Sequence, residues 1–402
     1  MDWRGVDAIR TFDRMTITEI ETPVPAGRPA PNSERSWTDL ARLVGLDLEA
    51  DVGANDAAGT ISSDAFTRLR DAGITGALVP TEFGGGGATY AEMGAILREL
   101  AFHDPSTAVA LSMHSHLVAF QVWRHRHGMD AEAVFRKVVD GPAVLVSTGA
   151  SDWMSSNGTA VRVDGGYRVS ARKPNSSGCE VGNVLATSIR WDDAPDGPQV
   201  LHCSIPLAAD GVSIDFTWDT LGLRATGSHT VVLHDVFVPD AAVSLMRPAD
   251  VWHPVWNAIL GAALPLIMSA YLGIADAAID IAIGRAAGRT EPHVHQLLGE
   301  MLDAHTIASD VVAAMLESAD DLRFDNNDQH GSRTLCRKTV AVEAVIDTVR
   351  LAIETTGGAG YARSSDLERL FRDVHGAMFH PLPRAKQTQF TGRVAAGLSP
   401  IA

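Results

Sequence analysis

The spacing of apolar residues divides this chain of 402 residues into three parts. In residues 37–44, 63–71 and 89–102, apolar positions recur every three or four residues, as one buried face of a helix requires. After Pro142 the spacing changes to alternation, which is typical of half-buried strands, and from Trp252 onward the helical spacing returns. The pattern therefore predicts a helical first part, a β-rich middle part and a helical last part.

Seven short runs in the middle part read as strands bounded by turn residues. Asp164-Gly165-Gly166 has the composition of a tight hairpin turn between two of them. Such runs at regular spacing predict an antiparallel barrel or sandwich of about 100 residues. The predicted strands are residues 144–148, 159–163, 167–171, 184–189, 200–205, 212–216 and 230–233.

The last part contains enough helical sequence for a four-helix bundle. Its first run includes 18 residues without a charge, 258–275, which is the lower limit for a membrane-spanning helix. Pro265 interrupts this stretch, and Asp276 and Asp280 continue the same helix, so we expect a helix buried inside the bundle. The four predicted helices are residues 252–287, 295–324, 333–356 and 366–379.

Composition limits the classes of function. A net charge of -16 argues against a nucleic-acid or anionic-membrane partner, because no basic stripe is present to displace counterions. The three cysteines lie far apart without a CxxC pair, so no metal site is predicted from them, and they fit a reducing cytoplasm. The first residues lack the apolar stretch of a secretory signal, which also predicts a cytoplasmic protein.

A glycine cluster near the C-terminus offers backbone N–H groups at close range. Gly357, Gly358 and Gly360 precede a helical run that opens at Ser365, so a phosphate would meet both a glycine turn and a helix N-terminus. The alternative interpretation is an ordinary helix C-cap followed by a turn.

Several short motifs then follow one another in a fixed order. They lie at residues 56–59, 69–73, 79–85, 221–228, 235–239 and 357–361, with Lys173 after a strand and Arg372-Asp373 in the last helical run. Together they resemble the acyl-CoA dehydrogenase superfamily of flavoproteins, from about residue 37 to the end.

The resemblance implies an α+β, mostly α fold. We expect an N-terminal helical domain at 36–143, a middle antiparallel β-barrel domain at 144–245 and a C-terminal four-helix bundle at 246–402, after a flexible arm at 1–35. It also implies a bound FAD or FMN and a homodimer or homotetramer.

In this family the flavin lies between barrel and bundle, and a glycine turn of the neighbouring subunit contacts its pyrophosphate. The implied contacts are hydroxyls and backbone N–H groups at strand ends, together with Arg289 and the glycine turn. For the serines, ordinary turn chemistry is the alternative. The residues are Thr148, Ser151, Asn175, Ser176, Ser177, Arg289, Gly357, Gly358 and Gly360.

The chain lacks the catalytic base of the dehydrogenases. That reaction needs a carboxylate within reach of the α-proton of an acyl thioester. At the usual family position, nine residues past Arg372, stands Pro381, and the alternative position falls near Ala263. Neither side chain can accept a proton.

His380 stands next to the missing base and is similar to a histidine of the two-component flavin monooxygenases in the same superfamily. Those enzymes take reduced flavin from a separate reductase and oxygenate a small organic substrate. His380 could hold the activated oxygen or activate the substrate, and its alternative role is to close the end of a helix. His114 and Ser177 are the other catalytic candidates; His116, two positions from His114, faces another side of the same helix.

Three hypotheses follow. The first is a monooxygenase that uses reduced flavin, with a flavin reductase as partner. The second is an acyl-CoA dehydrogenase whose base is recruited from Glu82, Glu99 or Asp152. The third is a flavin-binding member without catalytic activity. The sequence does not identify the substrate.

Overall fold

The computed structural model describes residues 35–141, 143–148 and 154–401. The predicted arm at 1–35 lies almost wholly outside these residues, as do Ser151 and Asp152. From Trp37 onward the described chain forms one compact unit.

Five helices make up the first part, and their ends follow local capping rules. Ser62 accepts a hydrogen bond from the backbone of Ala65 and starts the second helix. Thr89 and Glu92 form the predicted capping box of the third. The helices are α1 (Trp37–Ala58), α2 (Ser63–Asp71), α3 (Tyr90–His103), α4 (Pro105–Arg126) and α5 (Glu132–Val139). The sequence pattern predicted α1, α2 and α3, and also a helix from Ser106 that carries His114 and His116, which is α4.

The middle part contains two four-stranded sheets. All seven predicted strands are present, and the hairpin turn joins the second to the third, with Val163 opposite Gly166. The strands are β1 (Leu145–Ser147), β2 (Thr159–Val163), β3 (Gly166–Lys173), β4 (Val184–Trp191), β5 (Gln199–Pro206), β6 (Val212–Asp215), β7 (Thr230–Pro239) and β8 (Val243–Pro248).

The sheets have the strand orders β1-β4-β5-β8 and β2-β3-β7-β6. All neighbouring strands are antiparallel except β1 and β4, which are parallel. The fully antiparallel arrangement that we predicted is therefore wrong for this pair. The pairing brings the end of β1 beside β4, and the chain enters β1 directly from the helical part. Thr148, directly after β1, therefore lies at the boundary between the helices and the sheets.

The last part is built around α6 (Val255–Ala286). This helix is apolar enough to cross a membrane, but 94% of its most apolar window is buried inside the protein. It is the core helix that the sequence predicted. Around it are α7 (Pro292–Ser318), α8 (Asp328–Thr356), the short α9 (Gly358–Tyr361), α10 (Asp366–Val374) and α11 (Arg384–Ala395).

The predicted helix 366–379 is shorter than expected. α10 ends at Val374, and His375–Phe379 continue as a 3-10 turn that leads to His380. Gly376 explains the close approach at this turn, because a Cβ atom there would lie 2.5 Å from the Leu223 side chain. The turn places the C-terminal end of α10 against α6 and against the segment that precedes β7.

Two hydrophobic cores hold the protein together. One joins the N-terminal helices to the last helices, and the other fills the space between the sheets. The candidate site lies where α4, β1, α6 and α8 meet.

Candidate active site

His380 faces the core helix of the bundle. Its Nε2 atom lies 2.8 Å from the hydroxyl oxygen of Tyr271 on α6, and the two rings meet edge to face at 5.4 Å. Tyr271 is fully buried, whereas His380 is half-buried. Burial, followed by the charges of Lys338 and His116, lowers the pKa of His380 to about 3. The imidazole is therefore neutral at physiological pH.

Lys338 fixes the backbone of this histidine. It lies on α8 with only 2% of its surface exposed. Its Nζ atom donates to the carbonyl oxygen of His380 at 2.9 Å and to that of Leu382 at 3.4 Å. Burial lowers the pKa of Lys338 to about 8. A buried lysine thus holds the chain on both sides of Pro381.

His116 lies across from His380, at the end of β1. Its Nδ1 atom donates to the carbonyl oxygen of Ser112 at 3.2 Å, so Nε2 is the acceptor for the Ser147 hydroxyl, also at 3.2 Å. Burial, followed by the charge of His114, lowers the pKa of His116 to about 4. His116 in turn lowers the pKa of His380, so the two rings are close.

His114 has a different role from the catalytic one that we predicted. It is completely buried, its Nε2 donates to the carbonyl oxygen of Thr75 at 2.9 Å, and its Nδ1 accepts the backbone N–H of Leu145 at 2.9 Å. Both ring nitrogens are used to join α4 to β1, and neither remains for a ligand. Of the two neighbouring histidines, only His116 approaches His380.

Of the three carboxylates considered as substitute bases, Asp152 is outside the described residues, and the other two have partners elsewhere. Glu99 pairs with Arg42 at 2.6 Å, and Glu82 is exposed and lies 3.5 Å from His125. Pro381 and the buried Ala263 occupy the two family positions. Within the described parts of the chain, the charged groups that shift the pKa of His380 are Lys338 and His116, and both are bases.

The hydroxyls at the strand ends differ in what they can offer a flavin. Ser176 is buried and donates to the carbonyl oxygen of Lys173 at 2.8 Å, and Thr148 bonds to Thr187 at 2.7 Å. Ser177 accepts a hydrogen bond from Ser228 at 2.7 Å, and its own O–H finds no acceptor among the described residues. Asn175 precedes it with a φ of +57°, which forms a tight turn.

These contacts fit a flavin in one place. The free O–H of Ser177 can donate to a carbonyl oxygen or ring nitrogen, as the edge of an isoalloxazine requires. Ser176 and Thr148 are engaged with the protein itself, so they support the turn and the strand end.

The glycine turn follows directly after α8. Gly357 caps this helix with a φ of +66°, and no atom lies within 4 Å of the Cβ positions of Gly357 and Gly358. A Cβ at Gly360 would lie 2.0 Å from the Thr356 hydroxyl, so this glycine serves packing within the turn. The first two glycines leave the open backbone that a phosphate needs.

Arg289 lies beside that turn but already has partners. It donates to the carbonyl oxygen of Thr355 at 3.1 Å and pairs with Glu291 at 3.1 Å. The ion pair compensates the positive charge that a phosphate would meet. Arg289 therefore holds the end of α8 in place.

Tyr271 and Lys338 are the site residues that the sequence analysis missed. Tyr271 lies in an apolar run where nothing distinguishes it from a packing residue. Lys338 did carry a signal, because it stands on the buried stripe formed by Leu335, Val342 and Val345. A lysine on such a stripe indicates a buried amine with a specific partner.

Comparison with known proteins agrees with this architecture. The family model described as acyl-CoA dehydrogenase, N-terminal domain, matches residues 40–132, and that for the C-terminal domain matches residues 266–383. The two together match more than half of the chain.

Relatives carry names from two reaction types. L-evernosamine nitrososynthase of a Micromonospora species is 29% identical, over 96% of this chain and 95% of that protein. The putative acyl-CoA dehydrogenase YdbM of Bacillus subtilis is 26% identical, over 87% of this chain and 94% of that protein.

A solved structure adds a ligand to this comparison. KijD3 in complex with FMN and dTDP-3-amino-2,3,6-trideoxy-4-keto-3-methyl-D-glucose superposes with a TM-score of 0.78 at 27% identity, covering 92% of this chain and 96% of that chain. The matched domain models, the order of helices and sheets and this superposition lead to one conclusion. The chain belongs to the acyl-CoA dehydrogenase superfamily of flavoproteins.

Proposed function

We propose that this protein is a flavin-dependent monooxygenase that uses reduced flavin and O2 to oxygenate a small organic substrate near His380. The observation that carries the proposal is the chemistry around this residue. A neutral histidine stands where a dehydrogenase needs a carboxylate, and its charged neighbours in the described chain are bases. Such a site cannot remove an α-proton from an acyl thioester by the family's usual route.

The residues present would divide the work as follows. When bound, the reduced flavin supplies the electrons that activate O2. Ser177 would donate to the edge of its ring system, and the backbone of Gly357 and Gly358 would approach a phosphate. Tyr271 and the apolar face of α6 keep water from one side of His380, which limits wasteful side reactions.

We propose that the substrate carries a primary amine. One relative, 27% identical, is named an amino sugar nitrososynthase, and KijD3 is described with a dTDP-linked amino sugar. The positive charge of Lys338 disfavours a second one near His380, so the amine would enter in its neutral form, with its lone pair free. The balanced reaction converts amine, O2 and reduced flavin into hydroxylamine, water and oxidised flavin.

Two further expectations belong to this proposal. The flavin is FMN or FAD and arrives reduced from a separate flavin reductase in the cytoplasm, because Arg289 is neutralised by Glu291 and holds a phosphate weakly. The active protein is a homodimer or homotetramer, in which a neighbouring glycine turn completes the flavin site.

The test is rapid mixing of the protein and reduced FMN with O2. We expect a transient absorbance change before oxidised flavin appears, and one oxygen atom from ¹⁸O2 in the product of an amine substrate. His380→Ala should lower product formation by about 100-fold or more while reduced flavin is still consumed, since a positioned proton donor or acceptor is worth roughly that much.

Two results would contradict the proposal. Anaerobic bleaching of bound flavin by acyl-CoA thioesters would show the dehydrogenase reaction, which the name of the Bacillus subtilis relative favours. Flavin that is neither reduced by thioesters nor oxidised with transfer of oxygen would identify a member without catalytic activity.

A further inference from the structure

The hydroxyl group of Tyr271 has one hydrogen-bond partner among the described residues, the Nε2 atom of His380 at 2.8 Å. Tyr271 is fully buried. A buried hydroxyl that does not donate its proton loses the hydrogen bond it had with water and gains none in the protein, which is unfavourable. The proton of Tyr271 therefore points to Nε2, and Nε2 is the acceptor.

This direction decides the tautomer of the imidazole. In a neutral histidine one ring nitrogen carries a proton and the other accepts. With Nε2 accepting, the proton is on Nδ1. The Nδ1 atom has no hydrogen-bond partner in the described chain and is not one of its fully buried unpaired polar atoms, so it reaches open space.

The groups around His380 support the same assignment. Tyr271 approaches from α6, Lys338 from α8 and His116 from the side of α4. Lys338 donates to the carbonyl oxygen of His380, and no described carboxylate faces the ring to draw the proton to Nε2. Among the described residues, Lys338 holds the backbone of His380 and Tyr271 alone makes a hydrogen bond to its ring.

Gly376 shows how closely the hydroxyl is enclosed. A Cβ atom at this position would lie 2.8 Å from the Tyr271 oxygen and 2.5 Å from the Leu223 side chain. Any larger residue would push against the tyrosine or the segment before β7. The position of the hydroxyl is thus defined from the helix, from His380 and from the turn after α10.

We propose that Tyr271 is a positioning residue that fixes His380 as a hydrogen-bond donor through Nδ1. His380 then binds an oxygen acceptor in the site and does not serve as a base toward the substrate. The identity of that acceptor, an oxygen atom derived from O2, rests on the proposed function. The tautomer itself rests only on the residues described above.

The tautomer can be measured without flavin or substrate. In ¹⁵N-histidine-labelled protein, long-range ¹H–¹⁵N correlation spectra distinguish protonated from unprotonated ring nitrogens, and the signals of His380 are identified by their loss in His380→Asn. We expect protonated Nδ1 and unprotonated Nε2 between pH 6 and pH 8. The opposite tautomer would overturn the proposal, whether or not the protein oxygenates amines.

Two substitutions of His380 test the donor role during turnover. The amide of His380→Asn can place an N–H near the position of Nδ1, whereas that of His380→Gln reaches the position of Nε2. If Nδ1 of His380 is the hydrogen-bond donor, the His380→Asn variant should form at least about tenfold more product than the His380→Gln variant. Equal losses in the two variants would mean that His380 does not act as a donor through Nδ1.

Tyr271→Phe removes the hydroxyl and has a matched control. Tyr90 is also fully buried, and its hydroxyl donates to carbonyl oxygens of Gly261 and Ala262 on the same helix. We expect Tyr271→Phe to give both tautomers of His380 and about a tenfold lower yield of product per O2 consumed, with no such change in Tyr90→Phe. An unchanged His380 spectrum in Tyr271→Phe would contradict the positioning role.

Discussion

The core helix α6 carries two polar residues that meet histidines, and the two pairs differ in charge. Tyr271 bonds to His380, and the described residues whose charges shift the pKa of this histidine, Lys338 and His116, are both bases. Asp276, little more than one turn further, accepts two hydrogen bonds from Arg98 at 2.6 and 3.0 Å and one from His305 at 2.7 Å. The first pair leaves a ring nitrogen available, and the second satisfies its carboxylate within the protein.

The difference separates a cluster that stabilises the fold from the cluster that we propose for catalysis. Burial alone would raise the pKa of Asp276, but the charge of Arg98 and the bond from His305 bring it well below its usual range. That carboxylate stays ionised and joins α3, α6 and α7. His380 has no carboxylate partner among the described residues, so it stays neutral and half-buried at the edge of the site.

The largest expected effect on stability is from Asp276→Asn. The substitution leaves Arg98 charged and largely buried without its counter-ion, which should lower the free energy of unfolding by about 3 kcal/mol. Urea denaturation measures the change. Oxygenation by the folded variant should remain, since Asp276 does not contact His380.

Asp64→Asn is the matched control for that change. Asp64 pairs with Arg68 at the same 2.6 Å, but both side chains are exposed. We expect a loss below about 0.5 kcal/mol, as for other exposed pairs. Similar losses at both sites would remove the distinction between the two kinds of pair.

A smaller effect is expected at Asp373, whose charge adds to the effect of burial in raising the pKa of Tyr271. It accepts the backbone N–H of Leu223 at 2.5 Å and lies 3.8 Å from Arg369. Burial raises the pKa of Asp373 to about 7, against the lowering by this hydrogen bond and by the charges of Arg369 and Arg372.

A carboxyl group whose pKa is raised by folding stabilises the fold most at pH values below its pKa in the unfolded chain, near 4. This contribution is lost as the pH rises through 7, the pKa in the folded protein. Because of this group, the free energy of unfolding should be about 2 kcal/mol lower at pH 7 than at pH 5. Denaturation curves at the two pH values should show this difference in the native protein. Asp373→Asn should reduce it by most of that amount, and an unchanged pH dependence would exclude Asp373 as its source.

The smallest effect is expected from Lys338→Met. It removes the donor to the carbonyl oxygens of His380 and Leu382, so the histidine is held less firmly and the kcat/KM of oxygenation should fall about tenfold. The native protein should also show a change of rate near pH 8, where Lys338 loses its charge, and the variant should not. Lys386→Met, on an exposed position of α11, is the control and should leave both properties unchanged.

Much of the fold was predictable because it depends on local periodicity. The buried core helix followed from the uncharged residues 258–275, and all seven predicted strands followed from alternation and turn residues. The parallel pairing of β1 with β4 was not predictable, because alternation within a strand does not state the direction of its neighbour.

The site was predictable in part for the same reason. His380 and the absence of a carboxylate at Pro381 and Ala263 are facts of position along the chain. The roles of His114 and His116 depended on where α4 meets β1. Two residues apart on one helix, they contact different partners, and from the sequence His114 had looked as suitable for catalysis as His116.

The sequence by itself determined the order of helices, strands and helices, the apolar core helix, and a histidine where the family's base is missing. Only the tertiary structure decided that the hydroxyl of Tyr271 meets the ring of His380, 109 residues away. The physical reason is that helical periodicity states which face is buried. Which polar atoms meet on that face depends on how α6, α8 and the turn after α10 pack together.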